Sequence, residues 1–270
     1  MNINLNKLTF AILCSCAAVA AQASDSHYVP GMEGVRGSVL PPPGVYYKGY
    51  YINYQADDAH TDLTVNALAH RFAWVTSQEI LGANLAFETV LPMMRTDLKV
   101  DGQRIDKQTG VGDLYVGGIL GWHGDRWDIT AGTGYWADTG KYNKDKPASP
   151  GKGFDSVMLS LGGNAKLNQK GDITFSALGR YSMPNGSRLH DEVIVEWGLG
   201  KDYGLYNFGL TGYNTFETDD GNERKNALGA SLSYFSPKYK LGGDIAAYQE
   251  FSNKNTLEGS VLRVSLTKAF

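Results

Sequence analysis

From Gly44 onward, apolar and polar positions alternate with a period of two, in segment after segment of about ten residues. In VGDLYVGGILGW, Leu114, Val116, Gly118, Leu120 and Trp122 share one face, and Asp113, Tyr115, Gly117 and Ile119 the other. DEVIVEWGLG groups Val193, Val195, Trp197 and Leu199 and turns Glu196 away. ITFSALGRYS sets Ile173, Phe175, Ala177, Gly179 and Tyr181 against Thr174, Ser176 and Arg180. Each apolar face carries aliphatic residues at its middle and aromatic ones near its ends. That is how a strand reads when one face meets lipid and the other meets a polar interior.

The connections sort by length. Short ones fall at Thr76–Gly82, His123–Arg126, Asn168–Gly171, Lys201–Gly204 and Ser236–Lys240. Long polar ones fall at Gln55–Asp62, Arg95–Gly110, Asp138–Gly153, Met183–His190, Glu217–Lys225 and Ser252–Leu257. Five short connections interleaved with six long ones predict twelve strands, with both termini on the short-turn side. An even strand number, short periplasmic turns and longer external loops describe an all-β, antiparallel up-and-down transmembrane barrel. A soluble β-sandwich, the rival on composition, has no reason to segregate its loops this way.

Composition supports strands over helices. The chain holds 16 Tyr, 10 Phe, 5 Trp and 33 Gly, a set suited to repeated strands with aromatic belts. No stretch after the first residues approaches the roughly 20 apolar residues of a membrane helix. Those first residues read as an export signal: Lys7, the apolar run LTFAILCSCAAVAA, and small residues at Ala21 and Ala23. Cleavage is expected before Ser24, which divides the chain into a leader (1–23), a Gly/Pro-rich segment (24–44) and the barrel (45–270). A lipoprotein signal ending at Cys16 is the alternative, and Cys14 fits its pattern poorly. Both cysteines, Cys14 and Cys16, lie in the leader, so neither disulfides nor zinc–thiolate centres are available beyond it. Removing Lys7 takes the formal charge from −3 to −4, which gives nucleic acid no purchase as a partner.

The inward faces carry charge of both signs. Arg71 and Glu88 lie at comparable distances from the turn joining their strands. Arg180 and Glu196 sit across one hairpin, and Arg263 has Asp244 and Glu250 across the last. Such residues are expected either to pair as struts of the wall or to form a constriction that orients a solute. On the first strand, Tyr47 and Tyr51 share a face and Tyr46, Tyr50 and Tyr54 the other. Tyr47 and Tyr51 are taken as lumen candidates, with an aromatic girdle as the competing role for either set. His70, among Leu68, Phe72 and Trp74, reads as an interfacial residue. No cofactor or metal is called for.

The segment His27–Gly44 contains the Pro41-Pro42-Pro43 run and cannot be a strand. It nevertheless carries apolar residues, Tyr28, Met32 and Leu40 among them. It is therefore expected to fold back into or across the periplasmic mouth, with His27, Tyr28, Met32 and Leu40 as plug residues; a disordered tail is the alternative. At the other end Phe270 shares a face with Leu262, Val264 and Leu266, as a terminal signal for the outer-membrane assembly machinery does. Lys268, on the same face, departs from that pattern and reaches water by snorkelling.

Several of these blocks are familiar. HYVPGMEGVRGSVLPPPGVYYKGYY, GVGDLYVGGILGWHGDRWDITAGTGYWADTGKY, DEVIVEWGLGKDYGLYNFGLTGYNTFETDDG and YQEFSNKNTLEGSVLRVSLTKAF resemble a family of outer-membrane proteins named for the meta-pathway of phenol degradation. The likeness covers most of the chain beyond the leader, and HYVPG…LPPPG is its most specific part. Where relatives carry a Pro-Thr-Gly-Tyr element, this chain reads Asp138-Thr139-Gly140-Lys141-Tyr142. The resemblance implies a barrel, often encoded near aromatic-catabolism genes, that admits small aromatic or apolar solutes. The expected partners are outer-membrane lipid and lipopolysaccharide, the assembly machinery and a small solute. Two other functional classes compete with a channel. A structural or adhesive barrel needs no open pore. A hydrolase needs a catalytic set, but His60, His70, His123 and His190 are followed two residues on by Asp62, Phe72, Asp125 and Glu192, never by serine. His190-Asp191 and Asp219-Asp220 are the nearest material for a protease, and neighbours on a strand point to opposite faces.

Overall fold

The computed structural model describes residues 26–218 and 221–270; residues 1–25, the expected leader among them, and Asp219-Asp220 lie outside the described residues. Thirteen strand segments are present among them. They are β1 (Gly44–Asp57), β2 (Thr61–Ile80), β3 (Ala83–Val100), β4 (Gln103–Val111), β5 (Leu114–His123), β6 (Trp127–Ala137) and β7 (Ser156–Lys166), then β8 (Ile173–Pro184), β9 (Glu192–Tyr203), β10 (Tyr206–Glu217), β11 (Arg224–Ser236), β12 (Leu241–Glu250) and β13 (Gly259–Ala269).

Both β4 and β5 run along β3: Gln103–Val111 face Val100–Met93, and Tyr115–Gly121 face Val90–Asn84. They are one strand broken at Gly112 and Asp113, so the sheet has twelve antiparallel positions, as the connection pattern predicts. It closes on itself where β1 meets β13, from Tyr46 opposite Ala269 to Ala56 opposite Gly259. Closure pairs every edge, which lipid demands of any strand-built span. Phe270 adds one further link at this seam, its N–H donating to the Val45 carbonyl at 3.0 Å.

Burial alternates along strands such as β8, β9 and β13 as the sequence pattern requires. Leu68, Phe72, Trp74, Leu199, Leu262 and Leu266 are exposed on the outer wall, while Ala69, Glu196, Arg263 and Ser265 are buried inside. Outward aromatics gather near the short-turn end, where Tyr203 meets Phe208 and Tyr206 meets Tyr234 in ring contacts of 5.7 and 5.1 Å. They form the belt expected at a membrane interface. Lys268, also on this face, donates its ammonium to the Tyr239 carbonyl at 3.0 Å, away from the apolar band.

One expected loop is a ladder instead. Residues 95–110 form the ends of β3 and β4, joined by a two-residue turn at Asp101 (φ 49°) and Gly102 (φ 75°). Beyond the bilayer both faces of a hairpin are free to be polar, so it shows no apolar stripe and reads as loop. Its backbone groups still pair, and two consecutive positive φ values suit the strand twist.

Candidate functional site

The interior is filled by the segment that precedes β1. Starting at the long-loop end, it runs down the bore, makes a single 3₁₀ turn at Gly34–Arg36 against β8, β9 and β10, and enters β1 at the short-turn end. The path is longer than one confined to the periplasmic mouth.

His27 stands at the top, stacked on Trp136 at 5.5 Å and edge-on to Phe154 at 4.8 Å. Its Nδ1 lies 2.9 Å from Ser156 Oγ and its Nε2 3.3 Å from Asp113. Asp113, at the strand break, also accepts the Gly140 and Lys152 backbone N–H groups, each at 2.8 Å. An aspartate, a histidine and a serine thus line up in the order of a hydrolytic triad. Ser156 is 1% exposed, however, so its hydroxyl offers no nucleophile to a substrate. The arrangement fastens the segment.

Lower down, Glu196 of β9 receives the Tyr28 hydroxyl at 2.9 Å and the N–H groups of Gly31, Met32 and Glu33 at 2.6, 3.1 and 3.3 Å. Consecutive N–H groups converge in this way because Gly31 adopts φ +87°, a conformation costly for a residue with a Cβ. A Cβ there would also press on Tyr248 and Tyr213 at 3.2 and 3.3 Å. The Arg180 guanidinium covers the Tyr28 ring at 3.9 Å. Burial, against the opposing pull of Arg180, pushes the Tyr28 phenol well above its ordinary range.

Glu33 then reaches across the bore. One of its oxygens, Oε1, accepts from Arg71 at 2.9 Å and from Arg180 at 3.1 Å, joining β2 to β8. Arg71 is held in turn by Glu88 at 2.7 Å, and Arg180 lies 3.7 Å from Glu196. Asp244 carries Arg263 and, at 3.5 Å, Lys48; Arg263 also donates to the Gly31 carbonyl. Burial alone would raise the Glu33 carboxyl, but Arg71 and Arg180 outweigh it and hold it at about 2.

Below the charged layer the fit is steric. Val35 enters a socket made by three wall glycines, Gly198, Gly200 and Gly209; a Cβ at 198 would stand 2.8 Å from Val35 Cα. Its carbonyl accepts from Ser176, and Ser38 donates to the Ala177 carbonyl at 2.8 Å. Leu40 packs on Val75 and Ala86, with Gly121 leaving it room. A cavity of about 710 Å³ remains between this segment and the wall, open toward the short turns and lined by both charged and apolar side chains.

The sequence-predicted residues divide as follows. Arg71, Glu88, Arg180, Glu196, Asp244 and Arg263 meet in one layer with the segment residues Tyr28 and Glu33. Glu250 is inside but higher, bound by Tyr213 at 2.7 Å and Tyr54 at 3.1 Å, and not by Arg263. Met32 packs on the buried tyrosine cluster of Tyr50, Tyr213 and Tyr248. Tyr47 and Tyr51 are a correction: both face outward, Tyr47 against His70 at 2.9 Å and Tyr51 against Asn66 at 3.0 Å. Tyr46, Tyr50 and Tyr54 point inward instead. Lys48 decides the parity, because its ammonium needs Asp244 and cannot stand in lipid, and it shares their face. Glu33 and Lys48 were not picked out from sequence; the parity of Lys48 was the available signal, whereas Glu33 in PGMEGVRG offered none.

These features define a closed outer-membrane-type β-barrel whose own N-terminal segment occupies the bore. The chain belongs to the family described as "Putative MetA-pathway of phenol degradation", which it matches over residues 46–266. Among solved structures it is similar to the COG4313 outer membrane channel from Pseudomonas putida F1, with 18% identity and a TM-score of 0.74, covering 90% of this chain and 100% of that one. It is also similar to the transport unit of the autotransporter AIDA-I from Escherichia coli, at 8% identity, TM-score 0.57 and coverage of 95% and 98%. The beta domain of the Bordetella autotransporter BrkA matches at 13% identity, TM-score 0.54 and coverage of 84% and 99%. No curated protein sequence matches the chain.

Proposed function

We propose that the protein is an outer-membrane channel for small solutes of aromatic or apolar character, and that residues 26–43 are its plug. The observation that carries this reading is the threading of that segment through the bore on a buried ion cluster and a glycine socket. Twelve strands make a bore wider than that of eight-stranded barrels, which wall side chains can fill, so this segment occupies space that would otherwise lie open. A segment fastened by polar contacts and a few small apolar seats, those of Met32, Val35 and Leu40, can leave and return as a unit. The amphipathic cavity between it and the wall, about 710 Å³, suits a small solute with an apolar body. Membership of a family named for phenol degradation, and the likeness to the COG4313 outer membrane channel, are in keeping with the reading.

The test is deletion of residues 27–40, retaining Pro41–Gly44 so that β1 still starts correctly. The deletion is expected to raise single-channel conductance in planar bilayers and to sensitise cells to small antibiotics. If the refolded deletion variant conducts like the parent and sensitivity is unchanged, the segment is no plug and the adhesive or structural reading takes over.

A further inference from the structure

We propose, resting on the channel reading, that Glu33 is a built-in stand-in for the solute, and that the solute is an apolar monocarboxylate whose head group takes the place of Glu33 between Arg71 and Arg180. Two guanidinium groups from separate strands converge on a single carboxylate oxygen, and guanidinium is the group proteins favour for gripping a carboxylate. The oxygen they grip belongs to the removable segment and not to the wall.

The charge of the layer points the same way. Its cations are Lys48, Arg71, Arg180 and Arg263; its carboxylates are Glu33, Glu88, Glu196 and Asp244. With the segment docked the layer is neutral. With it withdrawn, four cations face three wall carboxylates, and the positive excess sits beside Arg71 and Arg180, because Arg36, the segment's own cation, pairs with Asp202 nearer the short turns; that excess calls for an anion. A single negative charge restores balance; an alcohol does not, and an amine worsens the excess. Arg180 also has capacity to spare, because its Nε and Nη1 lack hydrogen-bond partners among the described residues although the side chain is buried. The rest of the ligand is defined by the cavity that opens directly below, whose lining from the barrel wall includes Tyr46, Val75, Ala86, Ile119 and Leu178. An apolar or aromatic body fits there while its carboxylate reaches the two arginines.

Such a solute competes with Glu33, so the head group is both the recognition element and the means of loosening the plug. The experiment uses the full chain in lipid nanodiscs, equilibrium dialysis, and three radiolabelled probes of matched body: phenylacetate, 2-phenylethanol and 2-phenylethylamine, with binding to empty discs subtracted. Wild-type protein is expected to bind phenylacetate about tenfold more tightly than the other two, as a charge-assisted pair dictates. Glu33→Gln, which removes the competitor and keeps both arginines, should widen that preference by about tenfold more. Arg71→Gln should abolish it, with heat-modifiable migration confirming that the barrel has formed. Equal binding of the three probes, or an unchanged preference in Glu33→Gln, overturns the proposal; Glu33→Gln decides it even if Arg71→Gln fails to fold. Failure here with raised conductance in the 27–40 deletion removes the ligand class alone. Silent conductance with intact carboxylate preference removes the channel reading alone.

Discussion

Replacing Glu33 by glutamine tests the electrostatic account of docking. The side chain keeps its size but loses the charge that Arg71 and Arg180 share, at 2.9 and 3.1 Å. The structure holds this carboxyl at about 2 against an ordinary value of 4.5. At about 1.4 kcal/mol per pH unit, the charged form contributes about 3 kcal/mol to the docked state relative to a neutral side chain. That corresponds to a fall of about a hundredfold in the ratio of docked to released segment. The readout is labelling of a single cysteine at Ser38→Cys by a membrane-impermeant maleimide from the short-turn side, since a chain starting at Ser24 contains no other thiol. Ser38 is 0% exposed when docked, so the labelling rate reports the released fraction. Glu33→Gln is expected to raise that rate by about two orders of magnitude and to increase conductance in parallel. Labelling at the parental rate would refute the claim that this ion cluster holds the segment.

Four other outcomes follow from the same structure. Because the Glu33 carboxyl is depressed, its contribution to docking is full above about pH 4.5 and is lost as pH falls through about 2; Ser38→Cys labelling should therefore show no Glu33-dependent change between about pH 8 and 5, and a difference from Glu33→Gln that vanishes in this range would contradict the assignment. Gly209→Val should fill the Val35 socket and release the segment, raising conductance, whereas Gly163→Ala on the outer face, with its nearest neighbour 3.9 Å away, should leave conductance as it was. Protease added to intact cells should cut within Asp138–Gly153 and Glu217–Lys225 but spare Asn168–Gly171; cleavage at the latter would reverse the orientation. Deleting Phe270 removes the link to Val45 at the β1–β13 seam and should leave unassembled periplasmic protein, measured as loss of the heat-modifiable form.

The family resemblance and much of the barrel were legible in sequence because both follow from local rules. Period two fixes which face of a strand meets lipid, and alternating loop lengths fix strand number and the side on which the chain ends. The wall pairs Arg71–Glu88 and Arg263–Asp244 were legible for the same reason, being neighbours across hairpins whose register the turns set. Three things were decided only in three dimensions. The broken strand at Gly112 and Asp113 and the ladder over residues 95–110 depend on β3 being long enough to pair with two successive segments. The parity of the first strand turned on Lys48 finding Asp244, which is remote in sequence, so period two alone left Tyr47 and Tyr51 on the wrong face. The seat of the N-terminal segment rests on contacts such as Glu33 with Arg180 and Val35 with Gly198 and Gly209, which are separated by well over a hundred residues. An irregular segment has no periodicity to betray its partners, and a glycine that makes room for a side chain looks in sequence like any other glycine. Closing the wall into a ring is what gives both of them a neighbour.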